Sequence, residues 1–305
     1  MVTRLISANT SEMLKMNAAE LKQSIKASEG RVVLSENVVG HEMGDGITTS
    51  EVAAAFGADL ILLNGLDVLN PAIFGLYPNE GAVVHHDGKS IQRLQHLVGR
   101  PIGVNLEPVD VHADMAETRL EIPAGRQASR ATLAEAQKLG FNFVCLTGNP
   151  GTGVTNDQIA ANVKVAKDVF SGLVIAGKMH GAGVNEPVVS LPAVKAFLQA
   201  GADVILVPAV GTVPELTDED VRAVVRLAHQ HDALVMSTIG TSQEGSGARY
   251  IEAVAVRNKI NGVDIQHVGD AAWGVQSPFE NIYALSKAIR GERHAIQRMA
   301  RSINR

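Results

Sequence analysis

Val32-Val33-Leu34-Ser35 and Leu60-Ile61-Leu62-Leu63-Asn64 are short apolar runs that each end in polar residues. Six more runs of the same kind follow: Ile102–Asn105, Phe143–Thr147, Leu173–Lys178, Val204–Val207, Leu234–Thr238 and Val263–His267. A stretch of helical character lies between each pair and after the last. Strands alternating with helices build a parallel sheet. Eight such units over about 250 residues predict a single-domain α/β protein with the (β/α)8 TIM-barrel fold. The expected boundaries are an N-terminal helical segment over 1–30, the barrel over 31–291 and a C-terminal helical tail over 292–305.

The totals fit that reading. Of 305 residues, 46% are hydrophobic and 19% charged, as in a soluble chain with a large core. A formal charge of −5 gives no reason to expect nucleic acid or a membrane surface as partner. No run approaches the roughly 20 apolar residues that span a bilayer. Met1-Val2-Thr3-Arg4-Leu5-Ile6 lacks a long apolar leader, and the lone Cys145 excludes an internal disulfide, so a cytoplasmic protein is expected.

Residues 11–29 read as one helix capped by Ser11, placed either as a plug in the barrel bottom or on its outside. Further helices are read at 49–56, 89–98, 129–139, 155–169, 190–200, 217–231, 246–259 and 280–290. Asn70-Pro71, Tyr77-Pro78 and Asn79-Glu80-Gly81 signal turns in the long connection after the second run. The connection after the third run, about 107–128, is the longest, and loops of that length serve as lids or as solvated excursions. The tail carries Arg293, Arg298, Arg301 and Arg305 against Glu292, a basic face expected to be solvated or packed on a neighbouring subunit.

In this fold the residues just after each strand converge on one rim, where active sites lie. Gly240-Thr241 and Gly269-Asp270, after runs seven and eight, stand where such barrels bind phosphate, and glycine lets backbone N–H groups approach an anion. Asn149, after run four, adds an amide donor. Lys178 and His180 form the sharpest pair: a partly desolvated lysine can hold an anion or form a Schiff base, and a histidine can move protons. Asn105 and Glu107, at i and i+2, point to one side of a strand and, with Glu36, offer oxygen ligands to Mg2+. His85-His86-Asp87 and His41-Glu42 lack zinc spacing. No GxSxG elbow, P-loop or complete dinucleotide fingerprint occurs, and no nucleotide cofactor or haem is indicated.

The first two units resemble the phosphoenolpyruvate mutase/isocitrate lyase superfamily. The matching residues are Val32–Asn37, Thr49–Asp59 and Leu62-Leu63-Asn64-Gly65-Leu66. In phosphonomutases the backbone amides of the equivalent of the last stretch hold the anionic end of the substrate. The resemblance therefore implies anion-binding roles for Asn64, Gly65 and Leu66. The family's D-x-D metal motif on the third strand is replaced here by Asn105-Leu106-Glu107. Its acidic end to the fourth strand is replaced by Thr147-Gly148-Asn149.

The leading expectation is a phosphonomutase-like barrel enzyme acting on a small phosphorylated, phosphonylated or carboxylated metabolite. Its chemistry would be that of an isomerase or a C–C/C–P lyase working through an enolate. Lys178 would balance charge, and Glu36, Glu107 or His180 would move protons. A Schiff-base aldolase using Lys178 and a non-catalytic anion-binding barrel are the alternatives. The resemblance also implies a homo-oligomer joined through C-terminal helices.

Overall fold

The computed structural model describes residues 2–77 and 80–305. Met1 and the turn residues Pro78 and Asn79 lie outside the described residues. Eight parallel strands, each followed by a helix, close into a barrel: β1 Val32–Val38, β2 Leu60–Asn64, β3 Ile102–Leu106, β4 Phe143–Leu146, β5 Leu173–Gly177, β6 Val204–Pro208, β7 Leu234–Ile239 and β8 Ile265–Val268. β8 pairs with β1 through Val32↔Ile265 and Leu34↔His267, which completes the ring. The eight apolar runs are these strands, shifted by a few residues at their ends.

The N-terminal stretch is two helices rather than one, α1 Thr10–Met13 and α2 Ala18–Lys26. Their caps are Asn9 and Asn17, not Ser11, each paired with a glutamate three residues on in a capping box. The outer helices are α3 Thr49–Ala55, α4 Ser90–Val98, α5 Arg130–Leu139, α6 Asn156–Val169, α7 Leu191–Ala200, α8 Asp218–Gln230, α9 Ala248–Ile260 and α10 Phe279–Ala300. Thr48, Ser190 and Thr217 cap α3, α7 and α8, each side chain accepting a backbone N–H of the first turn.

Two apolar layers follow from strand alternation. Val32, Leu34, Leu60, Leu62, Phe143, Cys145, Leu173, Ile175, Val204, Leu206, Leu234, Met236 and Ile265 fill the barrel, and Leu5, Met13, Leu21 and Ile25 close it from below. The N-terminal helices are therefore the plug. Gly103 leaves room for the Phe143 ring, since a Cβ there would lie 2.2 Å from it. The other strand faces pack against the helices.

The basic tail divides: Arg293 and Arg305 are exposed, whereas Arg298 is buried. Helix α10 bends at Gly291, whose backbone is non-helical, and folds Arg298 back under the barrel. Arg290 and Arg298 both reach Asp59, at 2.9 and 2.8 Å, and all three side chains are fully buried. Arg100, beside them, donates to the Ala58, Gly99 and Arg298 carbonyls.

The 107–128 segment lies down over the rim. Asp110 N–H bonds Gly153 O, Leu120 N–H bonds Gly151 O and Ala116 N–H bonds Gly183 O, so it covers the connections after β4 and β5. Among the described residues, no helix is long and apolar enough to cross a membrane.

Candidate active site

Alternation continues past the apolar layer and turns polar side chains into the mouth. Glu36 follows Leu34, Asn64 follows Leu62, Thr147 follows Cys145, Thr238 follows Met236 and His267 follows Ile265, each by two residues. Glu36, Asn105, Thr147, Thr238 and His267 are each 3% exposed or less. Asn149, Met179, His180 and Asp270 lie half-buried around the opening above them.

At the bottom of the mouth Glu36 Oε2 stands 3.0 Å from His267 Nε2. Burial and the neighbouring carboxyls of Glu244 and Glu107 push the Glu36 acid up to about 8. Burial pushes His267 down to about 4. Both members are therefore neutral at pH 7, with the proton on Glu36. Asp270 is raised by burial and by Glu36 to about 7. Glu244 is raised by burial too; its Oε1 accepts from Ala271 N–H at 2.6 Å.

Above the pair runs a hydrogen-bonded chain drawn from four strand ends. Arg126 donates to Glu107 Oε1 at 2.9 Å. Asn149 donates its side-chain amide to the same oxygen and its backbone N–H to Oε2, both at 2.8 Å. Asn149 and Asn64 exchange two amide bonds, at 3.1 and 2.9 Å. Asn64 also donates to Asp270 Oδ2 at 2.9 Å.

That chain engages Glu107. Both its oxygens are taken by Arg126 and Asn149, so it holds the end of the 107–128 segment against the rim. Of the two carboxylates in the Mg2+ expectation, Glu107 is thus engaged by Arg126 and Asn149, and Glu36 is held protonated beside His267. Among the described residues no three of His, Cys, Asp and Glu stand together as a metal-binding group. The residues present do not fit Mg2+, and no step below passes through a metal.

The expected anion positions divide in two. Gly65 N–H is taken by Asn64 Oδ1 at 2.9 Å, Gly269 N–H by Ile239 O at 2.9 Å and Asn149 N–H by Glu107. Asn64, Asn149 and Asp270 belong to the amide chain, and Asp270 is itself an acid. Leu66 is buried in the outer apolar layer. The exposed turn after β7 stays open: Thr241 and Ser242 take consecutive left-handed backbone conformations, φ 59° and 66°. Such strain in residues with side chains gathers at functional sites.

Lys178 follows a glycine whose backbone no other residue could adopt there without clash. Gly177 has φ 150°, and a Cβ there would stand 2.0 Å from Leu206 O. The Lys178 ammonium is buried against Glu186 and is not a free cation facing the barrel. Burial lowers its pKa, and Glu186 opposes that shift. Glu186 also forms one wall of a cleft of about 450 Å³ between the connections after β5 and β6, with Val188, Val213 and Leu216. His180 accepts from Ala182 N–H through Nδ1 at 3.0 Å, and burial followed by Lys178 holds its pKa down.

Sequence reasoning placed Glu36 in the site and named His267 at the rim without giving it a role. The signal was available, since His267 shares the inner face of β8 with Ile265. Glu244 carried no such signal; it sits in the short 3-10 turn Gln243–Gly245, beyond the strained residues.

The model of a family described as a domain of unknown function, DUF7916, matches residues 6–305. The chain belongs to that family. No curated protein matches the chain. Among solved structures, an archaeal fructose-1,6-bisphosphate aldolase with its catalytic lysine covalently bound to a carbinolamine intermediate is 15% identical. It covers 87% of this chain and 96% of its own, with a TM-score of 0.52. A 2,3-dimethylmalate lyase of the PEP mutase/isocitrate lyase superfamily is 15% identical over 85% of this chain and 83% of its own, TM-score 0.49. Thiamine phosphate pyrophosphorylase from Pyrococcus furiosus is 14% identical over 86% and 97%, TM-score 0.49. At such identities the likeness is one of fold, shared by barrels of several families.

Proposed function

We propose that this protein is a barrel enzyme that moves a proton on a small carboxylated metabolite through an enolate, as an isomerase or lyase. The observation that carries this is the buried Glu36–His267 pair, 3.0 Å apart with pKa values pushed to either side of neutrality. Groups whose environments drive their pKa values apart are the usual acid and base of a site. Glu36 acts in its ionised form, which a pKa of about 8 populates increasingly as pH rises toward 8; that form takes the proton from the carbon beside a carbonyl. The electron pair of the C–H bond moves onto the carbonyl oxygen, and Glu36 returns the proton to either end of the enolate. Thr147 and Thr238, whose hydroxyls have no protein partner among the described residues, donate to the enolate oxygen. The substrate carboxylate rests on the open Thr241-Ser242 turn.

Of the three anionic classes expected, a carboxylate suits the site better than a phosphoryl or phosphonyl group. The two cations nearest the mouth, Arg126 and Lys178, are already paired. Deuterium exchange at carbon, followed by NMR with a panel of small 2-oxo acids, tests the proposal. Exchange by the wild type that Glu36→Gln and His267→Asn abolish supports it. Equal exchange by the folded variants overturns it.

A second reading rests on the lowered pKa of buried Lys178, the condition for a Schiff-base lysine. Borohydride trapping with a carbonyl substrate would label Lys178 if that reading holds, and an unmodified lysine under turnover would remove it.

A further inference from the structure

We infer that the ligand of the mouth carries an amino group, bound as ammonium beside Glu36, Asp270 and Glu244. This names the substrate class of the site and rests on the proton-transfer reading above. Most amide donors of the mouth are spent. Asn64 gives both amide hydrogens to Asn149 and Asp270, and Asn149 gives its own to Glu107 and Asn64. Asn105 gives one to Asn64 at 3.3 Å.

Of the mouth's side chains, what remains unpartnered among the described residues is Asn105 Oδ1, Glu244 Oε2, the Thr147 and Thr238 hydroxyls and the Nδ1 of His267. An amide oxygen and a carboxylate oxygen can only accept, and the hydroxyls can do either. Every one of these residues is at least nine-tenths buried. A buried acceptor without a donor is costly, so the missing partner is a donor-rich group.

Charge decides between hydroxyl and ammonium. The Glu244 carboxyl packs against the β8 turn: Oε1 takes Ala271 N–H, and a Cβ on Gly269 would stand 3.3 Å from that oxygen. Asp270 lies between those two residues, and His267, with Glu36 on its Nε2, lies two residues before Gly269. Three carboxyls thus surround one stretch of β8 and its turn, while Arg126 and Lys178 are held elsewhere. An ammonium brings three donors and the positive charge this cluster lacks. A divalent cation is the competing occupant; among the described residues no three of His, Cys, Asp and Glu are grouped as metal ligands, and titration with and without Mg2+ separates the two.

Matched sets test the inference: L-alanine, lactate and pyruvate; L-serine, glycerate and hydroxypyruvate; L-aspartate, malate and oxaloacetate. Each is titrated into the full-length protein by calorimetry, with and without Mg2+. At least one amino acid is expected to bind tenfold or more tighter than its hydroxy and oxo counterparts. Asp270→Asn or Glu244→Gln should erase that preference while circular dichroism shows both variants folded. Hydroxy or oxo acids binding as tightly as their amino counterparts overturns the inference, as does a preference that appears only with Mg2+. If oxo acids exchange deuterium yet bind as tightly as the amines, the inference fails and the proton-transfer reading stands. If amines bind selectively but no ligand exchanges, the reading fails and the amine site stands. No binding by any member overturns both.

Discussion

The two ends of this barrel both bury charge, and they treat it in opposite ways. At the floor, Asp59 meets Arg290 and Arg298, and its Oδ2 also accepts the Val33 N–H at 2.9 Å. The remaining guanidinium hydrogens go largely to carbonyls, among them Gly57, Ala58, Gly99 and Ala8. At the mouth, Glu36, Glu244 and Asp270 face one another around a neutral histidine, and several polar atoms have no partner. The floor ties both chain termini to the barrel, whereas the mouth keeps unspent hydrogen-bonding capacity. Charge that is fully paired serves stability; charge left unpaired at a strand-end rim points to a ligand and to proton transfer.

The comparison breaks first at Glu36. Glu36→Gln should cut carbon-proton exchange by about 10²- to 10⁴-fold, the usual contribution of general acid–base catalysis. It should leave the protein at least as stable in urea, because an amide carries no charge to bury. Loss of folding with unchanged exchange per folded molecule would reverse the assignment of the two ends.

Asp59→Ala should do the opposite. It strands Arg290 and Arg298, and removing one partner of a buried ion pair costs about 3–5 kcal/mol. Urea unfolding would read that loss, with exchange per folded molecule unaltered; a variant as stable as the wild type would show that the arginines do not depend on Asp59.

The pH dependence sharpens the contrast. Glu36 ionises at about 8 when folded, against an ordinary 4.5, so the native state holds a proton that the unfolded chain has lost. Stability from this source is present at low pH and declines as pH rises from 4.5 to 8. Asp270, raised from 3.8 to about 7, acts in the same direction. His267, lowered from 6.5 to about 4, acts the other way: the unfolded chain binds a proton that the native state refuses, so stability rises between 4 and 6.5. Between 6.5 and 8 only the carboxyl contribution is left. Urea midpoints should therefore fall over that interval in the wild type and fall less in Glu36→Gln. Parallel curves would mean that Glu36 titrates normally.

The smallest effect belongs to Glu107. Glu107→Gln weakens charge-assisted bonds worth about 1.5–3 kcal/mol in all. The 107–128 segment should then be cleaved faster by protease than in the wild type, and an unchanged cleavage rate would show that Arg126 is not what holds it down.

The contrast also explains what was legible in the sequence. Strand positions were plain because each buried strand is a continuous apolar run with a polar end. The division of labour at those ends was not. Lys178 read as a mouth cation, but its ammonium lies against Glu186, eight residues on. Glu107 read as a free acid because Arg126 and Asn149, far along the chain, are its partners only in the closed barrel. Arg298 read as part of a solvated face because its acid, Asp59, lies far back along the chain, just before β2. Partners that distant leave no local pattern. Glu36 and His267 were readable by strand alternation alone, since the inner face of a barrel strand continues into its mouth.

The most direct measurement is the protonation state of Glu36 itself. Difference infrared spectroscopy between the wild type and Glu36→Gln isolates that one carboxyl. A buried neutral pair predicts a protonated-carboxyl band at pH 7 that fades as pH rises through 8, while the His267 ring stays neutral. A carboxylate band at pH 7 with no protonated form would contradict the account, leaving Glu36 and His267 an ordinary buried ion pair like those of the floor.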